Sequence, residues 1–219
     1  MVKSGFFFKV RLIFALLLTL TIFQANPGLA KVYTIPVHAD AFVESQNPDT
    51  NYGGEPDLYV QYFPEFNETS MTRRAYLKFD MSGIPPGHII TAAKLYLFVV
   101  GNGGHPPPNA DLYHVGDGWT GATITWNTQP PTGNYLATQG SMFWGEYYAW
   151  NLFESGLWQP AVDLADKKLS LLLKLADEGP LVDFAGYIFS SNDSPDSRPY
   201  LEVTAVPPTS SSINLLLLD

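Results

Sequence analysis

Two sets of side chains in this chain have the types and spacing to do chemistry. Asp40, Glu44, Asn47, Asp49 and Asn51 crowd one strand-like run and the loop after it, and they offer the hard oxygen ligands that calcium prefers. Their spacing matches no EF-hand loop, so the expectation is a structural Ca2+ ion, with solvated turn residues as the alternative. The second set is aromatic and cationic. Arg74, Tyr76 and Lys78 alternate with Ala75, Leu77 and Phe79, and Lys94, Tyr96 and Phe98 alternate with Leu95, Leu97 and Val99. Flat rings stack on the apolar faces of sugars, and polar groups beside them replace the water around sugar hydroxyls. If the two runs are neighbouring strands, the six residues form one surface suited to an acidic or neutral glycan; if not, loops can cover either face. Trp144 is a further stacking candidate, placed in a loop.

Other chemistries find less support. His38, His88, His105 and His114 show no zinc-ligand spacing, and the chain has no cysteine. There is no nucleophile-elbow pattern. With 21 acidic residues, any choice of two carboxylates for glycoside hydrolysis is arbitrary. His114 shares a strand face with Leu112, which is the pattern of a half-buried structural histidine. The expectation is a binding protein and not an enzyme.

These residues must be held by strands. Short alternating or apolar runs, closed by Gly, Pro, Asn or Asp, place strands near 33–37, 41–44, 58–63, 74–80, 89–100, 110–115, 147–152, 169–175, 184–190 and 200–205. One short helix is expected at 157–166, with Pro160 near its start. Loops are expected at 45–57, 101–109, 130–140 and 192–199. Trp119 and Trp126, seven apart in the Thr-rich stretch 118–130, are expected to pack in the core. Period-two patterning marks antiparallel strands with a buried face, and so many short strands imply one all-β domain over 31–205, a two-sheet antiparallel sandwich.

Residues 1–30 read as a secretory signal peptide: Lys3, Lys9 and Arg11, an apolar run at 12–23, then small residues up to Ala30. The expected mature chain is therefore secreted, with no membrane span. Its formal charge of −9 at pH 7 becomes −12 once the three basic leader residues are removed and no acidic one is lost. Such a surface repels nucleic acid and anionic membranes. Asn67-Glu68-Thr69 and Asn192-Asp193-Ser194 match the glycosylation acceptor pattern and read here as loop residues.

Four ordered segments together resemble one family. They are Ala39-Asp40-Ala41-Phe42-Val43 with Asn47 to Gly53; Arg74 to Asp80 with Ile84-Pro85 and Ile90 to Leu97; Trp119 with Thr125-Trp126-Asn127-Thr128-Gln129-Pro130; and Phe189-Ser190-Ser191 with Arg198 to Thr204. The pattern is similar to the DNRLRE-domain proteins, also called carbohydrate-binding module family 96. Trp150-Asn151-Leu152-Phe153 departs from the family's Asp-Val-Thr, and Asn192 stands where an acidic residue is frequent. The resemblance implies a jelly-roll β-sandwich, export, and association with extracellular polysaccharide. The tail, 206–219, reads as a linker with a short apolar end, similar to a truncated PEP-CTERM sorting signal. A structural or adhesive role in a surface matrix, acting through protein contacts, is the alternative function.

Overall fold

Strand β1 (Lys31–Glu44) shows how the chain builds its frame. Its first half alternates exposed Val32, Thr34 and Pro36 with inward Tyr33, Ile35 and Val37; its second half is buried on both sides. A register shift between Val37 and Ala39 divides them, so that Lys31–Pro36 pairs with β10 (Tyr200–Val206) and Val37–Glu44 with β3 (Thr69–Asp80). Such a bulge bends and twists a strand, which lets one strand serve two curved regions. The spacing predicts two separate strands here, because the bulge interrupts the alternation.

Strand β4 (Ile89–Gly103) does the same. It pairs with β10 along Ile89–Tyr96 and with β9 (Ala185–Ser190) from Val99 to Gly103, across a shift between Val99 and Gly101. β9 pairs with β2 (Asp57–Phe66), β2 with β3, and β3 with β1, so the antiparallel ladders close through six strands. β8 (Lys168–Leu175), β5 (Ala110–Val115) and β6 (Tyr135–Gln139) extend outward from β3, and β7 (Tyr147–Asn151) lies along β4. The all-β antiparallel class and the short helix agree with expectation. The architecture is a closed six-stranded barrel with added strands, where two separate sheets are expected, because β1 and β4 each carry hydrogen bonds across both halves.

The described residues are 28–66, 69–103, 108–179 and 184–208 of a computed structural model. The leader up to residue 27, the tail from residue 209, His105 and the Asn67-Glu68 pair lie outside them.

The barrel interior is filled by Phe79, Leu95, Leu97, Trp150, Phe189 and Leu201, all fully buried, among others. Trp150 satisfies its indole by donating to the Ala110 carbonyl at 2.9 Å, so its apolar area is buried with no orphaned donor. The helix α1 (Pro160–Asp166) begins on a proline at its first turn and ends on Lys167 in the left-handed region, φ 64°. It packs against β4, β8 and the 3-10 turn Met81–Gly83.

A second, smaller core lies outside the barrel. Ala41, Val43, Tyr76 and Leu172 from β1, β3 and β8 meet Trp119 and Ile124 from the segment after β5. β8 is apolar at Leu171, Leu172 and Leu173 in succession for this reason: both of its faces are covered.

Candidate functional site

The covered face contains three of the seven expected sugar-contacting residues, Arg74, Tyr76 and Lys78. Tyr76 is fully buried and donates its hydroxyl to Gln129 Oε1 at 2.9 Å; burial pushes its pKa upward. Arg74 grips Glu178 through Nε at 3.0 Å and Nη2 at 2.7 Å, and its guanidinium lies 4.8 Å over the Trp126 ring. Lys78 lines a cleft of about 410 Å³ beside Trp119, but its ammonium is held by the carbonyls of Asp117 and Trp119 and lies 4.6 Å over the indole. Burial pulls its pKa downward, against the charge of Asp117. These three side chains fasten the 117–129 segment to the sheet. β3 is moreover no neighbour of β4, so the two triplets do not form the single surface expected.

Lys94, Tyr96 and Phe98 do face outward. Leu95, Leu97 and Val99 between them are fully buried, so the alternation along β4 holds. Register then decides the company they keep. Tyr96 stands opposite Tyr200 of β10 and Ala149 of β7; Phe98 stands opposite Tyr147; Lys94 stands opposite Glu202 and Asn151. Thr34 and Pro36 of β1 continue these rows beside Glu202 and Tyr200.

The result is a connected patch of four rings on an open face. Tyr96 and Tyr200 stack with centroids 4.8 Å apart and planes at 9°. Tyr147 meets Tyr200 edge-on at 5.7 Å and Phe98 at 5.1 Å, and it is 41% exposed. Its hydroxyl donates to the Arg198 carbonyl at 3.4 Å. The Tyr200 hydroxyl is pushed up first by burial, then by Tyr96, Tyr147 and the Glu202 carboxylate. Trp144, 72% exposed, sits three residues before Tyr147 in a loop tied down by Gly145 N–H to Val99 O at 2.9 Å and Val99 N–H to Glu146 O at 3.0 Å. An aromatic surface ringed by Lys94, Glu202, Asn151 and Thr34 can stack on sugar rings and exchange hydrogen bonds with their hydroxyls.

A family model described as carbohydrate-binding module family 96 matches residues 31–205, from the first strand to the last. The chain belongs to that family. None of the curated proteins matches it at a significant level. Family 96 is a family of binding modules by its description.

In this family 96 module, sequence reasoning finds Lys94, Tyr96 and Phe98 but passes over Tyr200. That ring lies six strands later in the chain, and only the β4–β10 register brings it beside Tyr96. The β4–β7 register does the same for Tyr147, which it sets opposite Phe98.

The five residues expected to hold calcium are engaged separately. Glu44 takes the Arg73 guanidinium at 2.5 Å and the Asn47 amide. Asp49 accepts from the Asn127 amide at 2.8 Å, and Asn51 donates to the carbonyls of Gly121 and Ile124, both at 2.7 Å. Asp40 accepts the Asn192 N–H at 2.8 Å. Among the described residues no group of three or more His, Asp or Glu side chains is placed to hold a metal. Asp49 and Asn51 tie the 45–54 loop to the 117–129 segment.

The module also contains a histidine–carboxylate pair. His114 Nε2 lies 2.8 Å from Asp163 Oδ1, and Trp158 Nε1 donates to Asp163 Oδ2 at 2.6 Å. Asp163 is 2% exposed, and its hydrogen bond raises the His114 pKa. The pair links β5 to α1 beside a cleft of about 150 Å³.

Proposed function

We propose that this chain binds extracellular polysaccharide through the outer face of β7, β4, β10 and β1, without breaking the polymer's bonds. The observation carrying the proposal is the ring patch Tyr96, Phe98, Tyr147 and Tyr200 on an open sheet face of a carbohydrate-binding module. Trp144 extends the platform past the end of β7. Each ring contributes about 1 kcal/mol beyond the area it buries, so several must act together for useful affinity. The protein acts outside the cell, in keeping with the leader read at 1–30.

Affinity electrophoresis of the purified chain through gels carrying single polysaccharides tests this. At least one polymer should retard it, and Tyr147→Ala or Tyr200→Ala should relieve the retardation with the thermal midpoint little changed. A second reading, attachment to other proteins in a surface matrix, draws on the exposure of Phe143 and Trp144, at 59% and 72%. It predicts uniform indifference to every polysaccharide.

A further inference from the structure

The charges around the ring patch identify the class of glycan it takes, an inference that rests on the sugar-binding reading above. The outward positions of the four paired strand segments are Val32, Thr34 and Pro36 on β1; Tyr200, Glu202, Thr204 and Val206 on β10; Ala92, Lys94, Tyr96 and Phe98 on β4; and Tyr147, Ala149 and Asn151 on β7. The charged side chains among them are one lysine and one glutamate, and those two stand directly opposite each other across β4 and β10. At the rim beside Tyr147 and Tyr200, exposed Arg198 is accompanied by exposed Glu146 and Asp196. The face as a whole is therefore neutral to slightly acidic, on a protein whose net charge is −9.

A polyanion is held by rows of cations that neutralise successive charges along its length, and a protein field of the same sign slows its approach. This face offers no such row. Lys94 already has Glu202 beside it, and the clustered cations of the molecule lie elsewhere: Arg73 and Arg74 are in ion pairs with Glu44 and Glu178, and Lys78 is closed in by carbonyls. What the face does offer is apolar ring area with an interspersed set of neutral hydrogen-bonding groups, Thr34, Asn151 and Thr204, and the tyrosine hydroxyls. Four strands at about 4.8 Å spacing extend this surface across about 14 Å, room for several sugar units.

We propose that the ligand is a neutral polysaccharide, laid across β7, β4, β10 and β1 and held by stacking on the tyrosines. The test is a panel of neutral polymers (glucan, xylan, mannan, galactan) beside polyuronates and sulfated galactans, run with the full chain at about 50 mM and about 500 mM salt. A neutral polymer should bind, its affinity should move less than about twofold over that range, and Tyr147→Ala should weaken it about five- to tenfold. Retention by polyanions alone, collapsing as salt rises, would overturn the neutral assignment while leaving the sugar-binding reading intact. Indifference to the entire panel, from a chain with a cooperative thermal transition, would overturn both.

Discussion

Asp40 is 4% exposed and accepts the Asn192 N–H, and its pKa is nevertheless raised to about 6. Burial is the main cause; the Asn192 hydrogen bond opposes it, and the nearby Asp193 carboxylate adds to it. Between its ordinary value of 3.8 and about 6 the folded state binds the proton more tightly than the unfolded one. The associated stability is present in full below pH 3.8 and is lost as the pH rises through about 6, a change of about 3 kcal/mol. Asp40→Asn keeps an oxygen for Asn192 and removes the charge, so it should raise the thermal midpoint at pH 7 and leave it nearly unchanged at pH 4. Equal shifts at both pH values would contradict the burial argument. His114 acts in a higher window. Its pKa is raised by Asp163, so its contribution is full below the ordinary value of 6.5 and is lost as the pH rises through the folded-state pKa. A series of unfolding scans from about pH 6 to pH 9 should show the midpoint of the native chain falling more steeply than that of His114→Gln.

At the scale of elements, strand existence is legible in the sequence and strand partnership is not. Alternation along 89–100 correctly assigns the faces of β4, because one side is core and the other is solvent. The same alternation in β3 says only that Arg74, Tyr76 and Lys78 share a face; whether that face is wet depends on the segment carrying Trp119, 41 residues beyond Lys78. β6 is expected to be loop, since Tyr135–Gln139 is short, polar at two positions and preceded by Pro and Gly, and its order derives from pairing with β5. Close approach is likewise a tertiary matter. Gly186 pairs with Gln61 on one side and Gly103 on the other, and a Cβ there would come within 2.5 Å of the Val60 carbonyl, at φ 154°. Gly186→Ala should destabilise the barrel by about 2–4 kcal/mol in denaturant titrations. The opposite holds at Lys167, a non-glycine at φ 64° whose main role is to end α1. Lys167→Gly relieves that conformation and keeps the backbone carbonyl that accepts the Met81 N–H at 2.9 Å, so about 0.5–1 kcal/mol of added stability is expected.

Taken as one molecule, the chain has no cysteine to staple it, and ring closure does the corresponding work. β10 is the last strand of the match to family 96 and lies between β1 and β4, so the two ends of the domain are joined by hydrogen bonds. Its inward residues Leu201, Val203 and Ala205 are fully buried, and its outward Tyr200 and Glu202 belong to the ring patch. Removing β10 would expose the inward faces of β1 and β4 at once and unpair two ladders, a loss well beyond the 5–15 kcal/mol by which domains are ordinarily stable. A chain of residues 31–206 should therefore unfold in one cooperative transition with a midpoint close to that of the full chain, whereas 31–199 should show no transition and weak protection from proteolysis. Adding a synthetic peptide of residues 200–206 in excess to the shorter chain should restore part of the protection, because an extended segment can re-enter an open sheet edge. Cooperative melting of the shorter chain on its own would mean that closure is incidental and that the remaining sheet is sufficient.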